Sequence, residues 1–103
     1  MKLSCVMGLV EDTEKIRKLF KEHGVHRVSE TEITGHTMCE LEKHGWWPSR
    51  DIPAYSRLHF AILPTERAGA ILDAIAGLPD KKEKEDECAH PIRAFQVDVE
   101  RMV

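Results

Sequence analysis

Three side chains of types that bind transition metals lie close together in the middle of this 103-residue chain. His36, Cys39 and His44 have the spacing H-x2-C-x4-H, with two glutamates between the cysteine and the second histidine. Imidazole and thiolate are ligands suited to zinc, copper or nickel. The spacing is not that of a recognised zinc finger. Two interpretations therefore stay open: a zinc or copper site in a loop, or exposed side chains that bind no metal.

Two adjacent aromatic residues follow this histidine and cysteine cluster. Trp46 and Trp47 stand just before Pro48, and a second proline, Pro53, comes five residues later. Exposed tryptophans often dominate the binding energy of protein interfaces, but a tryptophan can also pack a loop against its own domain. We expect one of the two to pack and the other to be available to a partner protein.

Composition and charge exclude several classes of protein. The net charge of −3, without a basic cluster, argues against nucleic-acid binding. No run approaches the roughly 20 apolar residues of a membrane span, so no direct membrane insertion is expected. No secretory signal is recognised, and three widely spaced cysteines predict free thiols in the cytoplasm. The motifs of phosphate-binding, dinucleotide-binding and hydrolase sites are missing, so we do not expect an enzyme.

The hydrophobic pattern predicts six elements in the order β-α-β-β-α-β. Runs of apolar or alternating residues indicate the strands, and apolar stripes at helical spacing indicate the helices. Asp12 and Thr65 are predicted to cap the two helices, and Gly24 and Gly77 to end them. The predicted strands are residues 2–10, 25–34, 56–63 and 90–103, and the predicted helices are residues 11–24 and 66–77.

This order of elements predicts a ferredoxin-like α+β sandwich in a single domain. Right-handed crossovers place the first and third strands at the centre of a four-stranded antiparallel sheet, with both helices on one face. We expect Val6, Val10, Ala61 and Leu63 to lie on the other face. Because a half-apolar sheet face needs a cover, the pattern predicts a homo-oligomer.

Both ends of the chain and the segment around Gly35 resemble the PII-like signalling proteins of the nitrogen regulatory PII superfamily. The resemblance rests on MKLSCVMGLVEDTEKIRKLFKEHGV, on TEITGHT, and on the final HPIRAFQVDVERMV. It implies one PII-like domain over residues 1–103, assembled as a homotrimer. It also implies that residues 35–56 form the family's signalling loop, the T-loop, and that residues 78–90 form the loop before the last strand.

The resemblance implies a regulatory function. An adenine nucleotide or another metabolite would bind in clefts between subunits, and the T-loop would dock on a transporter, an efflux pump or a regulatory protein. Arg93 is the expected phosphate partner, because a guanidinium binds phosphate well. The loop before the last strand has no glycine after Gly77, unlike the family's phosphate-binding loop. The ligand-binding positions implied are Met7, Gly35, His36, Thr37, Leu63 and Arg93.

A second relationship leads to an alternative function. The CutA proteins share the trimeric architecture, and their tryptophan-containing middle segment is similar to the segment with Trp46 and Trp47. On this alternative the chain is a trimeric metal-binding or metal-sensing protein that uses His36, Cys39 and His44. Substitutions would distinguish the two functions. Ligand binding would be abolished by substitution of Arg93 in the regulatory protein and by substitution of Cys39 in the metal-binding protein.

Overall fold

A computed structural model describes residues 1–36, 38, 55–78 and 91–103 as one four-stranded sheet with helices on one side. The strands are β1 (Lys2–Gly8), β2 (Ser29–Gly35), β3 (Tyr55–Leu63) and β4 (Arg93–Asp98). A 3-10 helix (Val10–Asp12) leads into α1 (Thr13–Glu22), and α2 (Thr65–Ala76) follows β3. The strand order is β2-β3-β1-β4 with antiparallel pairing throughout. The predicted fold and its central strands are confirmed.

The first helix begins with a short 3-10 turn that the sequence did not distinguish from it. The Asp12 carboxylate accepts a hydrogen bond from the Leu9 backbone N–H at 3.2 Å, so Asp12 caps this turn rather than α1. Ile16 and Phe20 lie one helical turn apart and are both buried. Gly24 has a φ of 74°, the left-handed conformation predicted for the end of this helix.

The second helix starts one residue earlier than predicted. Thr65 is its first residue and Pro64 precedes it, without a side-chain capping hydrogen bond, so the predicted Thr65 cap is wrong. Ala68, Ile71 and Ile75 are its buried face. The helix ends at Gly77, as predicted, and Gly77 has a right-handed φ of −83°.

Within the described residues, neither α1 nor α2 is long and apolar enough to cross a membrane.

The prediction of which residues face away from the helices is wrong. Val6, Ala61 and Leu63 belong to the core beneath α1 and α2, where they are at most 6% exposed. Val10 is not in β1 at all and lies in the 3-10 helix, 59% exposed. Alternation could not decide the side, because β1 and β3 carry apolar residues on both of their faces.

The opposite side of the sheet, here called the open face, is even more apolar than predicted. The strand register places Cys5 on this face, between Phe60 and Phe95. Cys5 is only 4% exposed, and this burial raises the pKa of its thiol. Phe95 and Val97 are 45% and 49% exposed. The apolar residues of the open face are Leu3, Cys5, Met7, Leu58, Phe60, Ile62, Phe95 and Val97.

Two glycine-to-alanine substitutions are expected to change stability in opposite directions. A Cβ at Gly8 would lie 2.7 Å from Cδ1 of the buried Ile16 and 3.2 Å from Cβ of Asp12, so Gly8→Ala should destabilise by about 1–3 kcal/mol. A Cβ at Gly69 in α2 would meet nothing within 4 Å, and Gly69→Ala should stabilise by about 0.5–1 kcal/mol. Urea unfolding measures both. Equal effects would contradict the packing at Gly8.

Candidate functional site

The structure brings four of the predicted ligand-binding residues to one end of the sheet. Met7 and Arg93 are register partners on the open face, near the end of β1 and the start of β4. Gly35 ends β2 at the same end of the sheet, where it pairs with Tyr55, and His36 follows it directly. Arg93 is exposed and forms no ion pair with another described residue.

Leu63 does not join this group within one subunit. It pairs with Lys2, at the opposite end of β1 from Met7, and five strand residues span about 17 Å. Its side chain is 4% exposed and belongs to the core. Thr37, predicted to bind ligand, lies outside the described residues, as do the predicted partner-binding residues Trp46 and Trp47.

The predicted metal ligands are described only in part. His36 is described, whereas Cys39 and His44 lie outside the described residues, so the site they would form remains a prediction. Among the residues of known placement, no group of three or more histidine, cysteine, aspartate or glutamate side chains could hold a metal ion.

A charge network that sequence reasoning missed connects α1, β2 and β3. Oε2 of Glu30 accepts hydrogen bonds from Nε of Arg17 at 2.8 Å and from Nδ1 of His59 at 3.0 Å. Its Oε1 accepts another from Arg17 at 2.6 Å. Glu30 and His59 are register partners across β2 and β3. The histidine among the apolar residues 58–63 of β3 was the one signal in the sequence, and the structure places it on the helix-covered side of the sheet.

Burial and charge set the protonation states of this network. The hydrogen bond from Arg17 is the main cause that lowers the pKa of Glu30 from 4.5 to about 2. Burial lowers the pKa of His59, which is fully enclosed. Glu30 is therefore ionised at neutral pH while His59 is neutral and donates its Nδ1 proton. The Nε2 atom of His59 is buried and has no hydrogen-bond partner among the described residues.

A polar groove lies beside this network, at the stem where β2 ends and β3 begins; it is called the stem groove below. Its main pocket has a volume of about 450 Å³, and a second pocket of about 210 Å³ shares Glu32 and Arg57 with it. These two residues are register partners of opposite charge that form no ion pair with each other. The residues that line the main pocket are Val10, Glu32, Ile33, Thr34, Ser56 and Arg57.

Comparison with solved structures identifies a protein of similar fold. No protein-family model matches the chain, and no curated protein matches it. A similar solved structure is that of CPII, a nitrogen regulatory PII-like protein from Thiomonas intermedia K12, bound to ADP, AMP and bicarbonate. The similarity covers 99% of this chain and 93% of CPII, with a TM-score of 0.53 and 16% identity. The predicted PII-like fold is thereby confirmed.

Proposed function

We propose that this chain is a PII-like regulatory protein that binds a small ligand between the subunits of a homotrimer and signals through residues 35–56. The observation that carries the proposal is the similarity to CPII over 99% of the chain, because that protein is bound to the adenine nucleotides ADP and AMP. The function is regulatory rather than enzymatic, and it is exercised in the cytoplasm.

The open face supports the assembly in this proposal. It presents a continuous apolar surface on three adjacent strands, with Ile62, Phe95 and Val97 each at least 40% exposed in the single subunit. Water contact with a patch of this kind is unfavourable, and such patches mark interfaces. Association of three copies through this face would bury it and would also create clefts between neighbouring subunits.

Met7 and Arg93 support an adenine nucleotide as the ligand class. They are adjacent on the open face at the end where Gly35 and His36 lead into residues 37–54. The Arg93 guanidinium would bind a phosphate group through paired hydrogen bonds, and Met7 would contact an apolar part of the ligand. A ligand held there would touch the start of the segment assigned to signalling. Thr37 and Leu63 remain further predicted contacts.

Partner binding is assigned to the T-loop, residues 35–56. Trp46 and Trp47 are the proposed anchors, because large aromatic side chains supply most of the binding energy at protein interfaces. The proposed partner is a transporter, an efflux pump or a regulatory protein whose activity follows the ligand.

Substitution of Arg93 tests the ligand site. Isothermal titration calorimetry with ADP and AMP should give binding to the natural protein and at least about 10-fold weaker binding to Arg93→Gln, because a charge-assisted hydrogen bond is lost. Arg101→Gln is the matched control, since Arg101 is also exposed but lies beyond β4. Binding that survives Arg93→Gln would contradict the assigned site, and no binding by the natural protein would contradict the nucleotide class.

A further inference from the structure

The stem groove is separate from the proposed nucleotide cleft. Arg57 precedes His59 by two residues in β3, so both side chains lie on the helix-covered side of the sheet, and the register places Glu32 there as well. Met7 and Arg93 lie on the open face. A ligand in the stem groove would therefore bind independently of assembly through the open face.

Arg57 has hydrogen-bonding capacity that the described residues do not use. Its one ion pair among them joins Nη1 to Oε1 of Glu30 at 3.9 Å, which is beyond hydrogen-bond distance. Glu30 is already engaged by Arg17 and His59, so it does not turn fully toward Arg57. The Arg57 side chain is 26% exposed, and its guanidinium is thus held in the groove wall with donors available for a carboxylate.

The other polar groups of the groove restrict the charge of a ligand. Ser56 borders the main pocket, but its side chain alternates with that of Arg57 in β3 and points to the open face, so it adds no donor beside the guanidinium. Glu32 lines both pockets and is exposed. Because Glu30 is hydrogen-bonded to Arg17, the described part of the groove offers a cation, Arg57, whose ion pair with Glu30 is long at 3.9 Å, and an anion, Glu32, that forms no ion pair. A dianion such as phosphate would be repelled by Glu32, and a simple cation by Arg57.

We propose that the stem groove binds a small zwitterion of the α-amino acid class. Its carboxylate would pair with the Arg57 guanidinium. Its ammonium group would pair with Glu32. The pocket volume of about 450 Å³ lies within the range of small-molecule sites. Glu32 and Arg57 belong to β2 and β3, so the ligand would join the two strands that flank residues 36–54.

Nuclear magnetic resonance titration tests the site on the natural protein without any substitution. The protein, labelled with nitrogen-15, is titrated separately with each of the twenty common amino acids, with acetate and with inorganic phosphate. At least one amino acid should shift the amide signals of Glu32 and Ser56 and the Nε signal of Arg57, and these shifts should reach a plateau as the amino acid concentration rises. Acetate and phosphate should bind at least about 10-fold more weakly, because each lacks one of the two charges. The proposal is overturned if no amino acid shifts these signals, or if acetate or phosphate binds as tightly.

Charge substitutions test the assigned roles. Arg57→Gln should weaken amino acid binding at least about 10-fold. Glu32→Gln should weaken it as well while it strengthens acetate and phosphate binding, a change of preference that general unfolding would not produce. Arg27→Gln, an exposed position outside the groove, should leave binding unchanged. Unchanged amino acid binding in Arg57→Gln would overturn the proposal. Titrations with ADP and AMP test the nucleotide site on the open face separately, so a failure of one proposal can be told from a failure of the other.

Discussion

Val97→Glu is expected to convert the proposed homotrimer into monomers. Val97 lies on the open face in β4, 49% exposed in the single subunit, and the trimer would bury it among apolar side chains of a neighbour. An uncompensated carboxylate in such an interface costs several kcal/mol, which corresponds to a more than 100-fold weaker association. Sedimentation equilibrium measures the change in mass. The subunit itself should fold, because half of the side chain is already in contact with water.

Val10→Glu is the matched control for this prediction. It makes the same change at a position that is 59% exposed but lies in the 3-10 helix, away from the open face. The control should keep the mass of the natural protein. Dissociation of both variants, or of neither, would contradict assembly through the open face.

Glu30→Ala is expected to lower the free energy of unfolding by about 2–3 kcal/mol. It removes the acceptor of the His59 Nδ1 hydrogen bond while the imidazole stays fully enclosed, and it breaks two hydrogen bonds from Arg17. A buried donor without a partner and a lost charged hydrogen bond each cost about 1–3 kcal/mol, and part of the loss is recovered by solvation of Arg17. Urea denaturation measures the difference.

Glu14→Ala is the control that touches the same arginine. Glu14 pairs with Arg17 at 3.0 Å, but its side chain is 87% exposed. Exposed ion pairs contribute little, so this variant should lose less than about 1 kcal/mol. A loss as large as that of Glu30→Ala would show that Arg17 pairing in general, rather than the buried His59 contact, carries the stabilisation.

The stabilisation that Glu30 gives the folded protein should be present at neutral pH and should be lost in acid. Its pKa is lowered from 4.5 to about 2 in the folded protein, so its stabilisation is present above pH 4.5 and is lost as the pH falls toward 2. The stability difference between the natural protein and Glu30→Ala should therefore shrink over that interval. The lowered pKa of His59 adds a loss of stability in both proteins, which begins as the pH falls below about 6.5. A difference that stays constant down to pH 2 would contradict the network.

Topology could be predicted from the sequence because local signals agreed with one another. The valine- and leucine-rich run of β1, the apolar stripes of the two helices and Gly24 at the end of α1 each indicate one element, and the order of elements leaves few right-handed arrangements. The structure confirms this order and the central position of β1 and β3.

The orientation of the strands could not be predicted for a physical reason. β3 alternates Leu58, Phe60 and Ile62 with His59, Ala61 and Leu63, so both of its faces are largely apolar. Hydrophobic alternation selects a buried face only when the other face is polar. The choice depends instead on pairing across the sheet, which places His59 opposite Glu30 beneath α1.

The candidate sites were predictable to different degrees. Arg93, Met7 and Gly35 follow from resemblance at the chain ends and around Gly35, and the structure places them at one end of the sheet. The stem groove and the Glu30 network depend on side chains distant in sequence. Arg17, for example, reaches Glu30 across 13 residues, and no local pattern marks that contact.

Native mass spectrometry with ADP and AMP tests the central claim most directly. The proposed function predicts a species of three 11.8 kDa chains that takes up three nucleotides. The same preparation of Arg93→Gln should remain trimeric and lose the nucleotides. A monomer at micromolar concentration, or a trimer of the natural protein that takes up no nucleotide, would contradict the account of this protein as an adenine-nucleotide sensor of the PII-like kind.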